Sequence, residues 1–91
     1  ARPDAVRPDL ARSLTNLSAC LRDLGHVPEA LAAAREAVVT LRPAFLAQPA
    51  AFQGWMRTMV DVYHAQCAAV GDAPDAHLLA PIDAALADLD A

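Results

Sequence analysis

The sequence predicts an all-α protein built as two antiparallel helical hairpins, and three observations carry that expectation. About a quarter of the 91 residues are alanine, the best helix former. No stretch alternates apolar and polar residues with a period of two, as a half-buried strand would. Leu10, Leu14, Leu17, Leu21 and Leu24 instead recur at steps of four and three, which lines one face of a helix.

The other elements are placed around the hairpin over residues 10–41. Gly25 breaks the leucine pattern, as suits a residue that takes positive φ just past a helix end. Pro28 fits a first turn, where its missing N–H has no partner to lose. A second apolar stripe starts at once, through Val27, Ala30, Leu31, Ala34, Ala37, Val38 and Leu41. The leucines of the first helix are expected to face Ala30, Ala34 and Ala37. Small residues there bring two helix axes to the short end of the usual separation of about 8–10 Å.

Taken in order, residues 1–7 read as a lead-in, because Pro3 and Pro8 crowd it. Helix 1 is predicted over residues 8–24 and helix 2 over 28–41 or 42. Pro43 removes a helical hydrogen bond, so helix 2 stops there or continues kinked to residue 47. Gln48-Pro49 is a second break. Helix 3 begins near residue 50 and ends near 70, with a stripe of Phe52, Met56, Met59 or Val60, Tyr63, Cys67 and Val70. Gly71 closes it. Residues 72–75 form a turn, and helix 4 carries Leu78 or Leu79, Ile82, Ala85, Leu86 and Leu89, kinked or restarted at Pro81. One domain therefore holds hairpins over about residues 8–42 and 50–90.

The halves repeat. A shift of 46 residues carries Gly25 onto Gly71, Pro28 onto Pro74 and Ala30 onto Ala76. Self-similar hairpins at such a period predict a helical solenoid, each unit burying a face on the next.

Composition excludes several functions. Net charge is −4 with a pI near 5.0, and the seven basic residues are scattered arginines, which argues against a nucleic-acid surface. Apolar runs stay short of the roughly 18 residues of a membrane span, and no leader pattern is present. Ala1 in place of an initiator Met suggests a processed or excised piece. For Cys20 and Cys67 a disulfide is open in principle, and two buried free thiols in a cytosolic setting are the expectation. His64 and Cys67 are three apart, but Cys20, His26 and His77 show no spacing that completes a tetrahedral zinc site. The expectation is no metal and no cofactor. A Cys–His nucleophile pair would lack both an orienting partner and a glycine-rich oxyanion loop, so no catalytic role is expected. Asp83, Asp88 and Asp90 read as a solvated face.

Leu14, Leu17-Ser18, Leu21, Gly25, Val27, Ala30 and Ala37 run along one pattern of large, Leu-small, large, turn Gly, aromatic and two alanines, with Val27 in the aromatic place. In this the first hairpin resembles the tetratricopeptide repeat family, in the long-period form found in actinobacterial signalling and regulatory proteins. The second hairpin keeps Val60, Tyr63, Cys67, Gly71 and Ala76 but has His64 at the small position, as suits an atypical terminal repeat. The resemblance implies a cytoplasmic protein–protein interaction module, with the first helix of each hairpin lining a concave peptide groove. It places Arg12, Thr15, Asn16 and Arg22, then Thr58 and Asp61, on that face, with Ala19, Val62 and Ala65 between them. Arg12 and Arg22 would grip carboxylates and Asn16 a peptide backbone. A small-ligand or peptide sensor domain of a transcriptional regulator is the alternative. The chain itself is expected to form a homodimer, because Ala32, Ala33, Val39, Trp55 and Val62 add apolar surface off the main stripes.

Overall fold

The computed structural model describes residues 3–91, with side chains from Pro8 onward. Four helices and no strand make up the described residues: α1 (Pro3–Asp23), α2 (Val27–Ala47), α3 (Pro49–Val70) and α4 (Ala76–Asp90). The chain folds back between α1 and α2 and again between α2 and α3, and those two pairs are the most closely packed. The lead-in expected before residue 8 is helical from Pro3, while residues 1–2 lie outside the described part.

The turns that end α1 and α3 both use a left-handed glycine. Gly25 has φ 83° and Gly71 has φ 85°. At the first, the N–H of His26 donates to the carbonyl of Leu21 (2.8 Å) and that of Gly25 to Arg22 (2.9 Å). These are the paired bonds of a Schellman turn, which satisfy carbonyls the helix end would leave bare. At the second, Gly71 and Asp72 both donate to the carbonyl of Cys67, at 2.9 and 3.0 Å. The same 46-residue shift that matches the glycines carries Pro3, the first residue of α1, onto Pro49, the first residue of α3.

Prolines neither stop α2 nor split α4. Pro8, Pro43 and Pro81 all lie inside helices. The carbonyls that Pro43 and Pro81 orphan belong to Val39 and His77, both exposed residues, so water can take the place of the lost N–H. Continuing α2 past Pro43 brings Phe45 into the core with no exposed surface. A helix ending at residue 41 or 42 leaves that anchor out.

The phase of α1 differs from the leucine stripe. Ala11 and Ser18 are fully buried, whereas Leu10 and Leu17 are each 48% exposed and Leu24 is 73% exposed. Leu14 and Leu21 are half-buried on the flank. Small residues therefore line both sides of the α1–α2 contact, with Ala30, Ala34 and Ala37 opposite. Within this contact the Ser18 hydroxyl donates to the carbonyl of Ala30 at 2.7 Å. A leucine at position 18 would hold the backbones apart.

The core gathers Ala34, Ala37, Val38, Leu41 and Phe45 of α2, Met56, Met59, Val60, Tyr63 and Cys67 of α3, and Leu78, Leu79 and Ile82 of α4. Met59 and Val60 are both buried, as are Leu78 and Leu79, so each pair shares the inward face. The start of α4 is fixed three ways. The Asp75 carboxylate accepts from the N–H of Leu78 (3.2 Å) as an N-cap and pairs with Arg35 of α2 (3.3 Å). The backbone N–H of Asp75 donates to the Tyr63 hydroxyl at 3.0 Å.

Candidate functional site

α1 and α3 are the helices expected to open the two hairpins, and a cleft opens between them. On α1, Arg12, Thr15 and Asn16 follow an i, i+3, i+4 spacing, and on α3 Trp55, Thr58 and Met59 repeat it. These six residues line an open cleft of about 180 Å³. The Arg12 guanidinium lies over the Trp55 ring, 5.2 Å from its centroid. Phe52 meets the same ring edge-on at 5.9 Å, which fixes the indole plane. A guanidinium stacked by its face keeps its N–H edge available for a carboxylate.

The threonine hydroxyls are committed to their own helices. Thr15 donates to the carbonyl of Ala11 (2.9 Å) and Thr58 to that of Gly54 (3.1 Å). Toward a ligand they can therefore only accept. Asn16 and Arg12 supply the donors, and a second open depression of about 280 Å³, lined by Asp9, Arg12, Ser13 and Asn16, adjoins the cleft along α1.

Of the expected groove residues, the fold brings Arg12, Thr15, Asn16 and Thr58 to this one opening. Arg22 is not among them. Its guanidinium donates to the Gln66 side-chain carbonyl at 3.4 Å, while the Gln66 amide donates to Ser18 at 3.1 Å. Arg22 thus belongs to the polar cluster that closes the α1–α3 seam. Asp61 is exposed on α3 and does not line the cleft. Trp55 and Met59 complete the lining. The i, i+3, i+4 match to Arg12, Thr15 and Asn16 is the signal in the sequence that finds them.

The remaining chemical candidates separate. His64 is exposed while Cys67 is buried, so the two do not share a surface. Among the described residues no three of His, Cys, Asp or Glu gather in a way that suits a metal ion. Both thiols are free, but Cys20 is exposed, which corrects the expectation of two buried cysteines. Burial pushes the Tyr63 hydroxyl above its ordinary value. Asp75 is held below the usual carboxylate range, first by the Leu78 N–H and then by Arg35. Asp83, Asp88 and Asp90 are exposed, and Asp90 pairs with Arg57 at 2.6 Å. Among the described residues no helix is long and apolar enough to cross a membrane.

Comparison with family models, with curated proteins and with solved structures returns no match to this chain.

Proposed function

We propose that this chain is a protein–protein interaction module, a tetratricopeptide-like pair of hairpins that holds an extended acidic peptide along the α1–α3 cleft. Binding rather than catalysis is its work, in the setting of a cytoplasmic signalling or regulatory protein. The observation that carries the reading is the Arg12–Trp55 stack at the cleft, with Thr15, Asn16 and Thr58 around it. Arg12 takes a carboxylate, the exposed part of Trp55 takes an apolar neighbour, and the threonine oxygens accept from peptide N–H groups.

Shape favours a peptide over the small-ligand alternative. Pockets for small molecules enclose most of their ligand's surface, whereas this cleft of about 180 Å³ and the depression of about 280 Å³ beside it are both open to solvent. The cleft suits one or two side chains of a longer segment that continues across the surface.

Trp55 is the only tryptophan in the chain, so its emission reports on the cleft directly. An array of acidic-hydrophobic peptides supplies ligands, which are then titrated against Trp55 fluorescence. Arg12→Ala should weaken binding about 10- to 100-fold, the loss expected for a hydrogen bond to a charged group. Peptides that bind without shifting Trp55 emission, or equally well after Arg12→Ala, would sink the assignment of this cleft.

A further inference from the structure

The helix start at Pro3 leaves Asp9 without a capping role. Asp9 sits in the second turn of α1, beyond the first turn where a carboxylate complements the helix dipole. Arg12 stands three residues on, and opposite charges at i and i+3 are neighbours that pair on a helix surface. Here they do not. The Arg12 guanidinium is drawn the other way, over the Trp55 ring at 5.2 Å, and among the described residues the ion pairs are Arg35–Asp75 and Arg57–Asp90. Exposure is not the reason, because the side chains of those two pairs are themselves between 36% and 62% exposed.

Between the parted charges lies the open depression lined by Asp9, Arg12, Ser13 and Asn16. Around α1 the side chains come in the order Thr15, Arg12, Asn16, Asp9 and Ser13, starting from the α3 side. A segment that leaves the cleft across α1 therefore meets an apolar wall at Trp55 and Met59, then the Arg12 cation, then the Asp9 anion. A purely acidic segment on that path sets its second carboxylate against Asp9.

We propose that the peptide held in the cleft continues across α1 and carries a basic residue that meets Asp9, so that its recognised part is charge-paired. This rests on the assignment of the cleft to an acidic peptide through Arg12. Helix side chains at i and i+3 stand about 5–6 Å apart at Cβ. Alternate residues of an extended strand share one face and lie about 6.6 Å apart. The recognised pattern is then apolar, acidic and basic residues at alternate positions, Leu-x-Glu-x-Lys or the same order reversed.

The test uses capped peptides of sequence Ser-Ser-Leu-Ser-Glu-Ser-Lys-Ser-Ser, the reversed sequence, and counterparts with Gln or Glu in place of Lys, each titrated against Trp55 fluorescence. In the chain direction that binds better, Gln for Lys should weaken binding about 2- to 5-fold, the worth of an exposed ion pair, and Glu should weaken it further. Asp9 is exposed, so its variants should keep the helical circular dichroism of the parent. Asp9→Asn should erase the preference and Asp9→Lys should reverse it in favour of Glu. Peptides that shift Trp55 emission but bind alike with Lys, Gln or Glu overturn the proposal and leave the cleft assignment standing. So does a Lys preference that survives Asp9→Asn. If neither these peptides nor the acidic-hydrophobic array moves Trp55, the cleft assignment and the proposal fall together.

Discussion

Ser18 and Gln66 are the buried polar side chains among the described residues, and they act as a pair. The Gln66 amide donates to the Ser18 oxygen, and Ser18 donates to the carbonyl of Ala30, so one hydroxyl ties three helices together. Ser18→Ala should cost about 1–3 kcal/mol in urea unfolding, because it leaves Gln66 buried without its acceptor. Adding Gln66→Leu should recover part of that loss. Two kinds of glycine give a sharper contrast. Gly54 lies in α3 with nothing within 4 Å of an added Cβ. Gly54→Ala should stabilise the fold by about 0.5–1 kcal/mol. Gly71 has equal room but φ 85°. Gly71→Ala should destabilise by about 1–2 kcal/mol, and the opposite signs are read from two melting curves. At this scale the sequence was legible for glycines and misleading for leucines. Period alone locates a stripe but not which of two adjoining stripes meets the neighbour. Ala11 and Ser18, one position on from Leu10 and Leu17, take the contact because only small residues let the backbones close.

Helix ends and helix contacts carry the next level of stability. α4 starts at Asp75, whose carboxylate is held low by the Leu78 N–H and by Arg35. A group depressed in the folded state adds stability that is complete above its ordinary value and fades as pH falls through the folded one. The melting-temperature gap between the parent and Asp75→Ala should therefore be full at pH 6 and narrow progressively below about pH 4. Tyr63 has the opposite sign. Its raised value gives a contribution that is complete below about pH 10 and lost on further titration, visible in alkaline melting curves. The α1–α2 crossing is tested by Ala30→Leu, which should overpack a site with no free surface and cost about 1–3 kcal/mol in urea unfolding. Element boundaries were hardest to read at prolines. The sequence leaves open whether α2 stops or continues kinked at Pro43 and whether α4 kinks or restarts at Pro81. Both helices continue, because the carbonyls the prolines orphan lie on exposed residues and the flanking Phe45 and Ile82 are anchored in the core. Burial of those side chains outweighs one missing hydrogen bond, and neither term is visible in local sequence.

The 46-residue repeat is clearest at the joints of the molecule, while α3 and α4 pack far less closely on each other than α1 and α2 do. Pro3 and Pro49 open α1 and α3, and left-handed Gly25 and Gly71 close them, at one 46-residue spacing. The glycine ends are legible in the sequence, because such residues mark turns regardless of what packs around them, whereas the lead-in expected up to residue 7 hides the helix start at Pro3. The cleft was legible only in part, since Arg12, Thr15, Asn16 and Thr58 needed Trp55 and Met59 from a neighbouring helix whose rotation the sequence does not state. If the unit truly repeats, then α2 covers α3 by rules that would work again on α1. Residues 3–48 can be duplicated ahead of the chain, so that Gln48 runs into a second Pro3 just as it runs into Pro49. Cys20 of the original hairpin then occupies the place of Gln66, which is 2% exposed. The most direct measurement is thiol labelling of this extended chain with only that Cys20 retained, taken alongside its thermal melt. Protection of the thiol, with one cooperative transition at a higher temperature than the parent, is the expected result. A thiol that still reacts at the parent's rate, or an added hairpin that melts separately, would contradict the repeat.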